Sequence, residues 1–259
     1  MAIRLKTPQQ IELMRRAGRI VRLVLDRLGE MIRPGLTTEE LDAEADRLCR
    51  EHGAECLFKG VPGRGNAGPF PGNVCVSINE EVVHGIPSKR VIRAGDIVSL
   101  DFGARLTGWC GDGAETYIVG RVNEKVRHLV EVTRNCLDLA VGMVRPGGKW
   151  SEVARAMQSY VEGEGFSVVR EFVGHGIGRE MHEDPKVPNF VSQELEAKDI
   201  VLQPGLVLAV EPMVNMGRPA VQYAPDGWTV VTVDRLPSAH FEHMVAVVAD
   251  GVQVLTDGS

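Results

Sequence analysis

Residues 92–120 read IRAGDIVSLDFGARLTGWCGDGAETYIVG, and this pattern predicts two strands joined by a short turn. The β-branched and apolar residues of 97–102 predict the first strand, and residues 115–119 predict the second. The LTG sequence between them predicts a turn centred on Leu106 and Thr107. Paired residues in such a hairpin have numbers that sum to 213, which is odd.

That register places Asp101 and Asp112 directly opposite each other on one face of the hairpin. Two carboxylates held so close repel, and one stays protonated unless a cation lies between them. A purely structural explanation also fits, because Asp often caps turns and Asp112 stands between Gly111 and Gly113. Asp101 fits it less well, since it ends an apolar strand, where a buried charge needs a partner. This stretch alone leaves both explanations open.

Length and composition are typical of a globular protein with a substantial core. The chain has 259 residues, of which 44% are hydrophobic and 25% are charged. It has no apolar run of about 18 residues, which predicts no membrane-spanning helix. The N-terminal MAIRLKTPQQ has no apolar signal core, so we expect a cytoplasmic protein. The net charge of −6 argues against nucleic-acid binding by the domain.

The cysteines argue against a disulfide framework and against a thiolate metal site. There are five, an odd number, and none forms a CxxC pair. This usage is typical of a reducing cytoplasm.

Capping motifs predict the helices of the chain. Residues 7–10 (TPQQ) form a capping box that opens a helix running to about Glu30. Residues 37–40 (TTEE) form a second one, for a helix that runs to about His52. Residues 124–144 predict a third helix.

Three glycines, Gly63, Gly65 and Gly68, have the GxGxxG spacing of dinucleotide-binding proteins. In those proteins the motif follows a strand and opens a helix. Here Pro69 and Pro71 follow, and two prolines prevent a helix. The stretch is therefore predicted to be a loop.

The chain contains an internal repeat. RPG at 33–35 recurs at 145–147, and IRAGDIVSLDF from Ile92 aligns with LQPGLVLAVEP from Leu202 at an offset of 110 residues. Asp101 then aligns with Glu211, so both copies finish an apolar strand with a carboxylate. We expect one catalytic domain over residues 1–259, with two halves of about 8–122 and 123–250 that face each other across a pseudo-twofold axis.

Further candidate ligands follow the repeat. His175 lies in the glycine-rich VGHGIG, where no packing need explains a histidine, and Glu242 lies at the start of a predicted strand. A zincin helix is excluded, because HExxH is absent. Taken together, the candidates offer oxygen ligands, one imidazole and no thiolate. This set suits manganese, iron(II), cobalt or zinc in a dinuclear site and does not choose among them.

The motifs together resemble a known family over the whole chain. VSINEEVVHGIP, SLDFG with GDGAETY, VGHGIGREMHEDP, LAVEPMVN and DRLPSAHFEH are similar, in order and spacing, to type I methionine aminopeptidases of peptidase family M24. The resemblance implies an α+β fold, the pita-bread fold, in which helices cover a curved antiparallel sheet. The stretch from His175 to Glu211 has no room for the helical insertion of the type II enzymes.

The resemblance implies a role for each candidate ligand. Asp101 would chelate one divalent ion, Asp112 and Glu242 would bridge two, and His175 and Glu211 would complete the second. The reaction would be removal of the N-terminal methionine, preferentially before a small second residue, by attack of a metal-bridging hydroxide. Glu211 would accept the proton.

Substrate contacts also follow from the resemblance. His84 and His182 would contact the scissile amide and stabilise the oxyanion, although a lone His84 before a turn is more often structural. An apolar slot for the methionine side chain would be formed by Phe70, Cys75, Met181 and Trp228.

The implied partners are the N-termini of nascent polypeptides, with access to the ribosome, and the protein is expected to be a monomer. One monovalent cation is implied near Glu81, where the family often has a small apolar residue. The loop 61–69 is longer than usual in the family, which makes the width of the pocket the least defined part of the site.

Three alternatives are less well supported. Proline-specific peptidases share this fold but usually carry an additional N-terminal domain, for which a helix at residue 8 leaves no room. A binding protein that has lost catalysis would normally have lost ligands. A serine hydrolase is disfavoured because GxSxG is absent.

Overall fold

The computed structural model describes residues 3–259 and contains five helices. The predicted capping boxes at Thr7 and Thr37 both form, and Asn123 caps the third helix through the amide of Val126. The helices are α1 Pro8–Met31, α2 Thr38–Glu51, α3 Glu124–Met143, α4 Trp150–Gly163 and α5 Gln193–Ala197.

The strands form four antiparallel sheets. Their orders are β1-β4-β2 with β5 on β4, then β13-β10-β6, β11-β12-β3 and β15-β14-β9-β7-β8. The strands are β1 Glu55–Cys56, β2 Cys75–Ile78, β3 Glu81–Val83, β4 Ile97–Leu106, β5 Trp109–Ile118, β6 Ser167–Val168, β7 Gly174–Gly176, β8 Glu183–Val187, β9 Val207–Val210, β10 Met213–Asn215, β11 Val221–Tyr223, β12 Val230–Thr232, β13 Ser238–His240, β14 His243–Val248 and β15 Gly251–Val254.

The β4–β5 hairpin is longer than predicted, and its register differs from the prediction. The turn residues are Thr107 and Gly108, with φ of +51° and +78°. Two consecutive residues with positive φ make the tight turn that matches strand twist, and glycine favours the second position. The predicted turn, one residue earlier, would have forced Leu106 into that strained region. Paired numbers therefore sum to 215, as in the pair Leu106 and Trp109.

The correction moves the two aspartates without changing their face. Asp101 pairs with Ala114, and Asp112 pairs with Gly103, so the aspartates are diagonal neighbours and not direct partners. Both the predicted and the observed sums are odd, so both side chains still project from the same side of the hairpin. Neither aspartate lies in a turn, which removes the turn-capping explanation.

Matching hydrogen bonds occur at the two RPG sequences, 33–35 and 145–147. The amide of Gly35 donates to the carbonyl of Ile92 at 2.9 Å, and the amide of Gly147 donates to the carbonyl of Leu202 at 2.8 Å. An isolated bridge beside each also corresponds: Thr37 pairs with Val91, and Lys149 pairs with Val201.

The apolar core is divided into clusters that come largely from different parts of the chain. One buried cluster is formed almost entirely by residues from Val122 onward, and a second by residues between Val21 and Val119. A third cluster lies between them, where Met14 of α1 packs with Trp109 of β5 and Met244 of β14. No helix within residues 3–259 has the length and apolar character needed to cross a bilayer.

Candidate metal centre

Three of the five predicted ligands lie in strands, and the other two lie directly beside strands. Asp101 lies in β4 and Asp112 in β5, His175 is the middle residue of β7, Glu211 directly follows β9, and Glu242 directly precedes β14. All five line one cavity of about 330 Å³. Both strands are longer than the predicted 97–102 and 115–119, so Asp101 and Asp112 lie inside strands and not at or beyond their ends.

Backbone pairing accounts for this convergence. Glu242 donates its amide to the carbonyl of Ala114 at 2.9 Å, so β5 meets the sheet that contains β14 two residues from Asp112. In that sheet Val210 pairs with His243, and continuing the register by one residue places Glu211 across from Glu242. The site therefore lies at the seam between two sheets.

Distances within the cluster are short enough for shared ligation. The Nε2 atom of His175 lies 3.7 Å from Oδ2 of Asp112 and 3.5 Å from Oε1 of Glu211. Single donor atoms of Asp112, His175 and Glu242 all lie within 4.8 Å of one another. A cation placed among them would be within coordinating reach of all three.

The histidine is held in the tautomer that can bind a metal. Nδ1 of His175 lies 3.0 Å from the carbonyl oxygen of Gly176, which can only accept. Nδ1 must therefore carry the proton, and Nε2 presents its lone pair to the carboxylates. Burial first, and then the nearby His182, lowers the pKa of His175 to about 4, so the ring is neutral at neutral pH.

Buried carboxylates make the centre electrostatically incomplete without a cation. Burial raises the pKa of Asp101 to about 7, and burial together with the neighbouring carboxylates raises the pKa of Asp112, Glu211 and Glu242 well above the ordinary range. Oδ1 of Asp112 and Oε1 of Glu242 are buried with no hydrogen-bond partner in the described chain. Uncompensated oxygens of this kind are what a divalent ion would satisfy, so the residues present fit a metal site.

His240 is a further member of the site. It is 1% exposed, and its Nε2 lies 3.7 Å from Oε2 of Glu211. Burial and then the nearby His84 lower its pKa to about 3, so the ring is neutral. The sequence contained a signal for this position, because residues two apart in an extended chain, such as His240 and Glu242, face the same side. His243 is half-buried and hydrogen-bonds Thr256 instead.

His84 and His182 both lie at the cavity, close to the carboxylates. The rings of His175 and His182 are 4.3 Å apart. His84 has a φ of +60°, an uncommon conformation for a residue with a Cβ, and such strain is typically kept at functional positions. Burial first, and then His182 and Arg64, lower its pKa to about 4. Desolvation also lowers the pKa of His182, so both rings are neutral at neutral pH.

An apolar pocket adjoins the ligands. Phe70, Cys75 and the partly buried Met181 and Trp228 belong to one apolar cluster, in which the rings of Phe70 and Trp228 are 5.1 Å apart. Trp228 lies two residues before the start of β12. Cys75 pairs directly with Asp101 across β2 and β4, so the pocket and the ligands share a wall.

Sequence reasoning missed part of the cavity wall. Phe172 contributes its ring 5.5 Å from that of His84, and Tyr223 lies 6.4 Å from Phe172. The remaining lining residues that were not predicted are Phe58, Val61, Pro62, Arg64, Val173 and Gly227. No local pattern could have identified Phe172 or Tyr223, because long-range packing brings them to the site.

The fold and the site together define a metal-dependent hydrolase, with buried carboxylates and histidines beside an apolar slot. Residues 12–249 match the family model of metallopeptidase family M24. The chain belongs to this family.

Named relatives are similar over nearly their full length. The chain is 47% identical over 251 residues to methionine aminopeptidase 1 of Bacillus subtilis strain 168, covering 97% of this chain and 98% of the relative. The crystal structure of methionine aminopeptidase from Thermotoga maritima has a TM-score of 0.92 at 42% identity and covers 98% of this chain and 99% of that one. The resemblance stated from the sequence and the predicted pita-bread fold are therefore confirmed.

A more distant neighbour shares the fold alone. Prolidase from Pyrococcus furiosus has a TM-score of 0.76 at 23% identity. The alignment covers 98% of this chain and 66% of the prolidase. The prolidase thus has a large part that this chain does not match.

Proposed function

We propose that this protein removes the N-terminal methionine from nascent proteins and peptides, preferentially when the second residue is small. One observation carries the proposal: a metal-binding cluster, two neutral histidines and an apolar slot all line the same cavity of about 330 Å³. The nearly full-length similarity to methionine aminopeptidases supports the same substrate.

Two divalent ions are proposed as cofactors, with manganese, iron(II), cobalt or zinc as the candidates. Asp101 would chelate one ion, Asp112 and Glu242 would bridge both, and His175 and Glu211 would complete the second. The convergence of these side chains and the unpartnered oxygens of Asp112 and Glu242 support this assignment. Bound ions would make a water molecule acidic enough to act as a nucleophile at neutral pH.

The residues of the chain would do the rest of the chemistry. Glu211 would take the proton of the attacking water, because its carboxylate lies within the ligand cluster, with Oε1 3.5 Å from Nε2 of His175. His84 and His182 are neutral, so each can donate a ring N–H to the oxyanion that forms at the scissile carbonyl. Removal of water from around these donors strengthens their hydrogen bonds.

The methionine side chain would enter the slot formed by Phe70, Cys75, Met181 and Trp228. Its thioether can contact the ring edges of Phe70 and Trp228, an arrangement that favours methionine over a branched chain. The free α-amine of the substrate would complete the coordination of a bound ion, which would restrict cleavage to the first residue.

The remaining predictions complete the proposal. The two halves, about 8–122 and 123–250, would be copies of one unit, which the matching hydrogen bonds of Gly35 and Gly147 support. The enzyme would act as a cytoplasmic monomer with access to the ribosome. A monovalent cation near Glu81 stays a prediction, and the carboxylate of Glu81 itself is engaged by Arg90 at 2.6 Å and by the amide of Ile78 at 2.8 Å.

The test uses metal-reconstituted protein and three peptide classes. Met-Ala-Ser should be cleaved well, Met-Leu-Ser poorly, and X-Pro peptides not at all, with bound metal counted on the same sample. Asp112→Ala should lose turnover and metal, because a ligand shared by both ions is removed. His84→Ala should be slower by about 100-fold or more with its metal retained. Near-normal turnover by Asp112→Ala would refute the ligand assignment, and preferred cleavage of X-Pro would refute the substrate.

A further inference from the structure

The loop that carries the three glycines is a compact element at the mouth of the cavity. Its ends are clamped together, because the amide of Gly60 donates to the carbonyl of Phe70 and the amide of Phe70 donates to that of Val61, each at 2.9 Å. A Cβ on Gly63 would collide with the carbonyl oxygens of Ala67 and Gly68, so only glycine fits there. Loop 61–69 is therefore a folded unit with a defined shape.

The loop is docked on the segment that joins β11 to β12. The indole Nε1 of Trp228 donates to the carbonyl oxygen of Gly68 at 2.8 Å. A Cβ on Gly227 would lie 2.8 Å from the Cβ of Ala67, which shows how closely the two segments approach. The same Trp228 forms the wall of the proposed methionine slot, so the loop is mechanically connected to the site.

Arg64 lies in the turn of this loop, where the amide of Ala67 donates to its carbonyl at 3.0 Å. Its guanidinium carbon lies 5.6 Å from the centre of the Tyr223 ring, and Nη1 donates to the Tyr223 hydroxyl at 2.7 Å. Among residues 3–259, no carboxylate forms an ion pair with Arg64. A neutral partner therefore orients the guanidinium, and no carboxylate compensates its charge. Its other N–H groups can bind a ligand.

The inner and outer parts of the cavity are lined by different groups. The inner end holds the buried carboxylates, and the outer part is lined by Val61, Pro62, Arg64 and Tyr223. The positive charge of Arg64 is felt inside, because it contributes to the lowered pKa of His84. A peptide that enters with its N-terminus first would therefore place its later residues beside the positive charge of Arg64.

We propose that Arg64 binds a carboxylate of the substrate located beyond the second residue. The carboxylate comes either from an Asp or Glu side chain or from the free C-terminus of a short peptide. Tyr223 orients the guanidinium, and Gly63 and Gly65 allow the loop the shape that brings it to the mouth. This inference rests on the proposed function, and it makes loop 61–69 a determinant of sequence preference outside the methionine slot.

The alternative is that the contact between Arg64 and Tyr223 only anchors the loop. An anchoring role would change the cleavage of all peptides alike, since the loop touches Trp228. A substrate contact would change the cleavage rates of acidic and basic peptides by different amounts. The ratio of kcat/KM for the two peptides therefore separates the explanations.

The experiment compares kcat and KM for amidated Met-Ala-Asp-Asp-Ser and Met-Ala-Lys-Lys-Ser with metal-loaded enzyme. We expect kcat/KM to be about threefold or more higher for the acidic peptide, which is the size of effect that an exposed charge pair gives. The difference should lie in KM and not in kcat. Added salt of about 0.5 M should reduce the ratio. In Arg64→Gln the ratio should fall to about one, and Arg64→Lys should retain part of it. Met-Ala-Ser as free acid and as amide tests the C-terminal carboxylate in the same way.

Arg145→Gln is the matched control, because it removes the same charge from an exposed residue outside the cavity lining. It should keep the wild-type ratio. A wild-type ratio of one, or an unchanged ratio in Arg64→Gln, overturns the inference while leaving the proposed function in place. Failure of the wild-type enzyme to cleave any Met-Ala peptide would instead overturn the proposed function, and the inference with it.

Discussion

Cys75 shows at the scale of one residue how surroundings set chemical behaviour. Its thiol faces Asp101 across the β2–β4 pair and is 3% exposed. Burial and then the charges of Asp101 and Asp112 raise the pKa of Cys75 well above the ordinary range. Cys75 packs in the apolar cluster with Phe58 and Phe70, so its neutral thiol contributes an apolar wall to the pocket.

Asp101 should make the stability of the metal-free protein depend on pH. Its pKa of about 7 in the folded state lies above that of an unfolded Asp, so the folded state binds more protons between about pH 4 and 7. Its contribution to the free energy of unfolding is therefore greatest at low pH and is lost as pH rises through about 7. A pKa raised by about three units corresponds to a loss of about 4 kcal/mol. Solvent in the cavity screens the charge, so we expect about 2 to 4 kcal/mol.

Urea unfolding of wild type and Asp101→Asn at several pH values measures this contribution. The difference between the two is the quantity of interest, because the buried histidines have lowered pKa values and change stability in the opposite direction. Wild type should lose stability relative to Asp101→Asn as pH rises. A difference that stays constant with pH would contradict the prediction.

Lys6 and Glu183 form a buried ion pair whose stability contribution can be tested. Nζ of Lys6 lies 2.9 Å from Oε2 of Glu183, with side chains only 4% and 8% exposed. Burial alone would raise the pKa of Glu183, but hydrogen bonding and the charge of Lys6 outweigh it and lower that pKa. Lys6→Met should cost about 3 kcal/mol of unfolding free energy, because it leaves a buried carboxylate unpaired.

The double variant Lys6→Met with Glu183→Gln is the control for this pair. Removing both charges should recover most of the stability, since no buried charge is then left alone. Equal losses in the single and double variants would show that packing of the lysine chain, and not charge, is responsible.

At the scale of elements, close contact between α1 and β5 determines the position of Asp112. A Cβ on Gly111 would lie 2.8 Å from the carbonyl carbon of Ala17 and 2.9 Å from the amide nitrogen of Gly18. These are backbone atoms of a long helix that packs across β4 and β5, so they cannot move aside individually. Glycine at 111 thus allows helix and strand to touch beside a proposed metal ligand.

Gly111→Ala should therefore displace α1 or β5. We expect a loss of about 2 kcal/mol in the free energy of unfolding, as overpacking gives, and less bound metal per protein. Gly142→Ala is the control, because Gly142 lies in α3 with open space around it. That variant should be neutral or more stable by up to about 1 kcal/mol. Wild-type stability and metal content in Gly111→Ala would contradict the prediction.

At the scale of the molecule, Thr116 joins the sheets that form the site. Its hydroxyl lies 2.8 Å from the Ser99 hydroxyl, donates to the carbonyl of His240 at 2.8 Å and accepts from the His240 amide at 2.9 Å. These bonds connect β4 and β5 to β13, beside Glu211 and Glu242. One buried hydroxyl thus helps to hold together the two sides of the cavity.

Thr116→Val should cost about 2 to 3 kcal/mol, because it leaves the His240 amide and the Ser99 hydroxyl buried without partners. Thr133→Val is the matched control: Thr133 is equally buried, but its hydroxyl only donates to the carbonyl of Leu129 one turn earlier in α3. Urea unfolding of both variants measures the difference. A loss in Thr133→Val as large as that in Thr116→Val would show that the connection across the sheets adds nothing.

The sequence by itself determined which residues share a face. Alternation along an extended chain is a local property of the backbone, so Asp101 and Asp112 could be assigned to one side even though the predicted turn was one residue too early. The same alternation relates His240 to Glu242. The capping boxes at Thr7 and Thr37 were equally local and formed as predicted.

Only the tertiary structure decided which distant residues meet. The register of the hairpin depended on which residues could adopt positive φ, and the joining of β5 to Glu242 depended on packing between sheets. Arg64 and Tyr223 are separated by 159 residues, so no local pattern could have paired them. Contacts of this kind form because burying apolar surface outweighs the entropy of closing long loops, and that balance belongs to the whole chain.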